Sequence, residues 1–167
     1  MATISTLYKT GATHPSAWGA ATQAYCIENV IDLADVVTAK GSAIAQGDVI
    51  QAIYVPAGSI VLFAGFQQMT VMTGTSTDAT IDFGVTGGDV DCWVDGYDLD
   101  AGTALAYAAA ATASITPAQT FFATADTLDL LVATQTNTIT GGKLRVFAYI
   151  LDVSNKRSDV GVAAVGS

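Results

Sequence analysis

A chain of 167 residues that is 51% hydrophobic, only 13% charged and carries a net charge of −9 fits a single domain, and its charge sets it against nucleic-acid phosphate and anionic membranes alike. Its mean hydropathy of +0.45 comes without any segment near the roughly 20 apolar residues of a membrane helix; the longest greasy stretch is VPAGSIVLFAGF. A β-rich domain of this size buries about two thirds of its unfolded surface, so a chain this apolar keeps patches of the kind that mark contacts with other protein.

In chain order, residues 1–24 are mostly Thr, Ala, Ser and Gly, with a single Pro and no sustained period. They read as an N-terminal arm pinned by Tyr8 and Trp18, because an aromatic ring gains nothing in a tail unless something covers it. The segment lacks the basic start and apolar core of a secretion signal, and Cys26 and Cys92 are therefore expected to stay free and buried. From Tyr25 the pattern changes. YCIENVIDL alternates Tyr25, Ile27, Ile31 and Leu33 against Glu28 and Asp32, as a strand does. Residues 27–40 also fit a helix, with Ile27, Val30, Ile31, Ala34 and Val37 on one stripe and Lys40-Gly41 as a stop. The β-branched content favours the strand.

VIQAIYV then runs into the turn Pro56-Ala57-Gly58, and SIVLFAGFQQMTVMT follows as a long apolar strand in which Gly65 is expected to mark a bulge or bend. After the loop TGTSTD, the segment TIDFGV points Ile81, Phe83 and Val85 inward and Thr80 and Asp82 outward. The run LAYAAAATASI stands apart: Ala favours helix, but without caps the run fits a small-residue loop or a strand under a neighbouring subunit. TLDLLV sets Leu128, Leu130 and Val132 against Thr127 and Asp129. TQTNTITGG reads as a hairpin connection in which Gly141-Gly142 supply the unusual backbone angles. In KLRVFAYILDV, Leu144, Val146, Ala148 and Ile150 oppose Lys143, Arg145, Phe147, Tyr149 and Leu151. Both faces turn apolar near its end, which predicts a strand that is central or covered on both sides. Residues 154–167 turn polar (SNKRSD) and then small and apolar (VGVAAVGS), a C-terminal tail. Roughly eight short strands with Gly, Pro, Asn and Asp punctuation predict an all-β fold. The expected architecture is an antiparallel β-sandwich or jelly-roll-like barrel over residues 25–153, with the extended arm and short tail outside it.

Catalytic chemistry has little to stand on. The sole histidine, His14, lies in the arm, a poor place to hold a base near a substrate. No G-x-S-x-G elbow, C-x-x-C pair or phosphate-binding Gly-rich loop occurs. The stretch GGDVDCWVDGYDLD gathers Asp89, Asp91, Asp95, Asp98 and Asp100, hard oxygen ligands of the type calcium takes. The spacing misses the EF-hand pattern, however, and the stronger reading is that these residues start turns over Trp93 and Tyr97. The expectation is no enzyme, with no catalytic, cofactor-binding or metal residues and no cofactor. Apolar positions on both faces of SIVLFAGFQQMTVMT and FAYILDV exceed what one core can cover, and predict a homo-oligomer.

The succession GDVIQAIYVPAGSIVL, TIDFGV, DGYDLD, ADTLDL and GGKLRV resembles that of small β-rich structural proteins of tailed bacteriophages. The resemblance spans about Tyr25 to Val153 and carries no catalytic residues. It implies a virion protein made in the host cytoplasm, of the capsid decoration or cement type, whose partners are the major capsid protein and copies of itself, a trimer foremost. It leaves open the capsid surface, a head fibre or the tail. The alternative is a receptor- or carbohydrate-binding module of a head fibre or tail appendage, which requires Trp93 and Tyr97 exposed in a groove.

Overall fold

A computed structural model describes residues 3–5, 24–101, 107–109 and 121–153. His14, Trp18, most of the Ala-rich run and the tail lie outside them. The described elements are β1 (Thr3–Ser5), β2 (Ala24–Asp32), α1 (Leu33–Lys40), β3 (Val49–Val55), β4 (Ser59–Gly74), β5 (Thr80–Gly84), β6 (Val94–Asp98), β7 (Tyr107–Ala109), β8 (Phe121–Phe122), β9 (Asp126–Thr134) and β10 (Ile139–Asp152). They form two sheets of a sandwich-like, all-β fold. One has the order β1-β3-β9-β5-β6. The other has the order β2-β10-β4-β7, with β8 also on β4. All pairings are antiparallel except β1 with β3, where Thr3–Ser5 run parallel to Val49–Gln51.

Period-two patterning builds the core between the sheets. Leu144, Val146, Ala148 and Ile150 of β10 meet Ile50, Ile53, Leu128, Leu130, Ile81 and Phe83 from the other sheet, all buried. Phe66 of β4 joins the layers, its ring edge-on to Phe83 at 6.2 Å and to Tyr97 at 5.0 Å, the geometry aromatic quadrupoles prefer. β10 lies between β2 and β4, the central position its sequence predicts.

Residues 27–40 are neither all strand nor all helix. The strand holds to Asp32, whose carboxylate then accepts the Ala34 N–H at 3.0 Å as an N-cap. The helix ends at Gly41 (φ 75°), which donates to the Val37 carbonyl at 2.9 Å. Two good caps inside one apolar run override the β propensity of Val36 and Val37. After the helix, Lys40 pairs with buried Asp48 and donates to the Ala43 carbonyl at 2.8 Å, while Asp48 accepts the Ala45 N–H at 2.8 Å.

The glycines also act elsewhere than expected. Gly65 sits in regular register opposite Phe147, and the nearest irregularity falls between the Tyr149–Phe63 and Ile150–Val61 pairs, where Leu62 is the extra residue. The turn before β10 uses Asn137, at φ 63°, in place of Gly141-Gly142; Asn tolerates this region because its side chain is short and polar. Gly141 and Gly142 instead lie within β10, at register shifts against β4. Gly142 has φ 124°, and a Cβ there would meet the Met72 Cα at 3.0 Å. The outward faces of β5 and β9 are covered as well: Asp82, Thr127 and Asp129 are buried. The segment after β5 folds back, with Val85 N–H donating to the Asp89 carbonyl and Thr86 N–H to the Asp129 carboxylate.

Candidate interaction surface

The feature of the fold with most to offer a partner is the outward face of β2, β10 and β4. On β10 the residues alternating with the core set are Lys143, Arg145, Phe147, Tyr149 and Leu151. The register places Asp32, Glu28 and Cys26 of β2 beside Lys143, Phe147 and Tyr149, and Phe63, Gly65 and Gln67 of β4 on the other side. One end of this face is charged and internally paired. Lys143 reaches Asp32 at 3.0 Å, and Arg145 approaches Glu28 at 3.9 Å. The Lys143 ammonium holds the Asp32 carboxyl below the usual carboxylate range, helped by the Ala34 N–H.

The other end is aromatic. Phe63 stacks on Phe147 at 5.9 Å and 28° and meets Tyr149 edge-on at 6.5 Å. The stack crosses Gly65, which stands opposite Phe147 and presents no side chain. Tyr149 remains 47% exposed, and Leu62, at the bulge beside it, 52%. Phe121, which pairs with Ile60 at the far edge of β4, Val30 on β2 and Val153 past the end of β10 are exposed to similar degrees. Covering a large apolar side chain fully is worth about 1.5–3 kcal/mol, so a partner that closes over this group of half-exposed residues has ample driving force. Cys26 lies here too. It is exposed, contrary to expectation, because it falls on the outward face of β2, where the sandwich supplies no cover. Partial burial and then Glu28 push its thiol up, with Tyr149 opposing.

The residues weighed for chemistry are distributed quite differently. Asp98 accepts the N–H groups of Asp100 and Ala101 at 3.1 and 2.9 Å, and Asp100 accepts that of Ala79 at 2.6 Å. Asp91 is held protonated to higher pH by its hydrogen bond to Asp89. Among the described residues, no three His, Cys, Asp or Glu side chains converge to hold a metal ion. Trp93 is buried at 1% exposure, and the Tyr97 hydroxyl donates inward to Gln68 Oε1 at 3.0 Å. The groove that a carbohydrate-binding module would need is absent from this pair. Both rings are drawn into the core because β6 follows directly on a loop packed across β5. Cys92 is buried, and burial, then Asp89, push its thiol up to about 12.

The signal for the outward face was legible in FAYILDV, apolar on both sides. Phe121 gave none, since it belongs to a strand of two residues.

No protein-family model matches the chain, and no curated protein matches it. Solved structures do. A chain of the Ralstonia phage GP4 capsid superposes with a TM-score of 0.55 at 15% identity, over 78% of this chain and 84% of that one. A chain of the cyanophage Pam1 capsid asymmetric unit gives a TM-score of 0.53 at 17% identity, over 78% and 85%. The likeness is one of fold.

Proposed function

We propose that this chain is a structural protein of a tailed-phage virion, a capsid decoration or cement subunit that stabilises the head shell through contacts with the major capsid protein and with copies of itself. The observation that carries the reading is the sharing of its fold, over most of both chains, with chains of two phage capsids. The half-exposed aromatic face of β2, β10 and β4 supports it, since exposed apolar patches of this kind mark protein contacts. A homotrimer is the favoured assembly, closed symmetry being the usual outcome for oligomers. The division into an arm (residues 1–24), a β domain (25–153) and a tail (154–167) belongs to the same proposal, with the arm's Thr3–Ser5 laid on β3 and its last residue already in β2. The role is contact, and the protein is expected to catalyse nothing.

The test is a Phe63→Asp, Tyr149→Asp variant compared with the unchanged chain by light scattering and by co-sedimentation with capsid shells. The unchanged chain should self-associate and bind shells, and the folded variant should lose at least one of the two. Equal mass and equal shell binding for both would contradict the reading.

A further inference from the structure

A small cleft opens at the edge of the aromatic face. Phe121 pairs with Ile60 of β4, whose neighbour on the other side is Leu151 of β10, and directly paired residues project to the same side of a sheet. Phe121 therefore belongs to the outward face, and it lines the cleft as well, 49% exposed. Phe122, Val85, Gly88, Asp89 and Asp126 form most of the remaining lining. The volume, about 200 Å³, lies below the ~300–1,000 Å³ of small-molecule sites and matches a single side chain.

Charge narrows the occupant. Asp89 and Asp126 bring carboxylates to the cleft, and Asp91 hydrogen-bonds Asp89 beside it. Asp126 is exposed with one oxygen on the Thr127 N–H at 2.9 Å, which uses only part of a carboxylate's capacity to accept. Among the described residues the cations stand elsewhere: Lys40, Lys143 and Arg145 face Asp48, Asp32 and Glu28. An acidic cleft with an aromatic wall calls for a cation. Arginine answers best, because its flat guanidinium stacks on aromatic rings and forks onto carboxylates. This chain has only Arg145 and Arg157 against 15 acidic residues, so a copy of itself is a poor donor and a different protein the better one.

We propose that this cleft seats one arginine side chain of a capsid-shell protein, its guanidinium over Phe121 and against Asp89 and Asp126. The inference rests on the reading of the chain as a virion contact protein, and it divides the contact between two features. The face around Phe63, Phe147 and Tyr149 supplies apolar area, and the cleft at its edge supplies orientation. An arginine held in a pocket beside an apolar patch is a recurrent anchor of protein interfaces.

Amide NMR of the full chain titrated with N-acetyl-arginine methylamide tests the cleft. The arginine derivative should give saturable shifts at Gly88 and Phe121–Asp126, and its neutral isostere, N-acetyl-citrulline methylamide, should give none. Asp126→Asn, which keeps an acceptor for the Thr127 N–H, should weaken binding roughly tenfold, the scale of a charge-assisted hydrogen bond. Phe121→Leu, which keeps the apolar bulk and loses the aromatic ring, should weaken it too. Equal shifts from citrulline would overturn the proposal. So would shifts that appear only after Lys9, Lys156 and Arg157 are all changed to Gln, since the chain would then fill its own cleft. Co-sedimentation tests the partner: Asp89→Asn with Asp126→Asn should lower shell binding while light scattering gives an unchanged mass. Shell binding that survives this pair of changes strikes the cleft alone, whereas an unchanged chain that binds no shells strikes the wider reading and this one with it.

Discussion

Phe66 ties the two sheets together, because its ring touches Phe83 and Tyr97 of the opposite sheet while its strand neighbours β10. Truncating a buried Phe removes its transfer energy and leaves a cavity, about 3–5 kcal/mol together. Phe66→Ala should therefore lower the urea midpoint by that equivalent, and a loss under ~1 kcal/mol would mean the two sheets do not meet there. Asp129 makes the opposite case. Its carboxyl is buried, one oxygen has no partner among the described residues, and burial pushes its pKa up despite the nearby Thr127 and Thr86. Asp82 is raised by burial as well, and Asp91 by Asp89. Each of these groups binds its proton more tightly when folded, so stability falls as pH rises from the ordinary carboxylate range through the raised values. Asp32, held low by Lys143, gives the reverse contribution, which is lost only as pH drops below the usual carboxylate range. Above the ordinary carboxylate range the raised groups decide the sign. The melting temperature should rise as pH falls from neutral towards that range, and Asp129→Asn should raise it at pH 7 while flattening the profile. A melting temperature that falls steadily from neutral towards the ordinary carboxylate range would show these carboxyls to be better solvated than the structure has them.

Among the elements, β10 was the most legible from sequence: its alternation predicted the core set, and its doubly apolar end predicted a central strand with something to cover. What the sequence hid was hidden for physical reasons. The change from strand to helix at Asp32 turns on one carboxylate that caps α1 and pairs with Lys143 at once, and a periodicity reading sees neither role. Asn137 takes the turn expected of Gly141-Gly142, and those glycines fall at register shifts within β10 instead; both residue types tolerate positive φ, and only the pairing of β4 with β10 decides between them. The acidic run around Trp93 reads as a set of turn starters, and the fold places two of its carboxylates, those of Asp98 and Asp100, on backbone N–H groups of neighbouring turns. Asp32→Ala removes both the cap and the ion pair. With the cap worth about 0.5–2 kcal/mol and an exposed pair about 0–1, the loss in denaturant unfolding should be ~1–2 kcal/mol. No measurable loss would mean that packing of Leu33 and Val36 alone holds the helix.

For the whole molecule, the composition that first set this chain apart now has a location. Among the described residues, the core absorbs the alternating residues of both sheets, and most of the exposed large apolar side chains lie on or beside the outward face of β2, β10 and β4, near Phe63, Phe147 and Tyr149. The chain thus has the fold seen in two phage capsids and a face suited to protein contact, while Asp98 and Asp100 of the acidic run serve its turns. The most direct measurement is imaging of purified phage particles at a resolution that traces this chain. The proposed role predicts its density on the head shell, with the Phe63–Phe147–Tyr149 face closed against a neighbouring subunit. Density elsewhere in the particle, or on the shell with that face open to solvent, would contradict it.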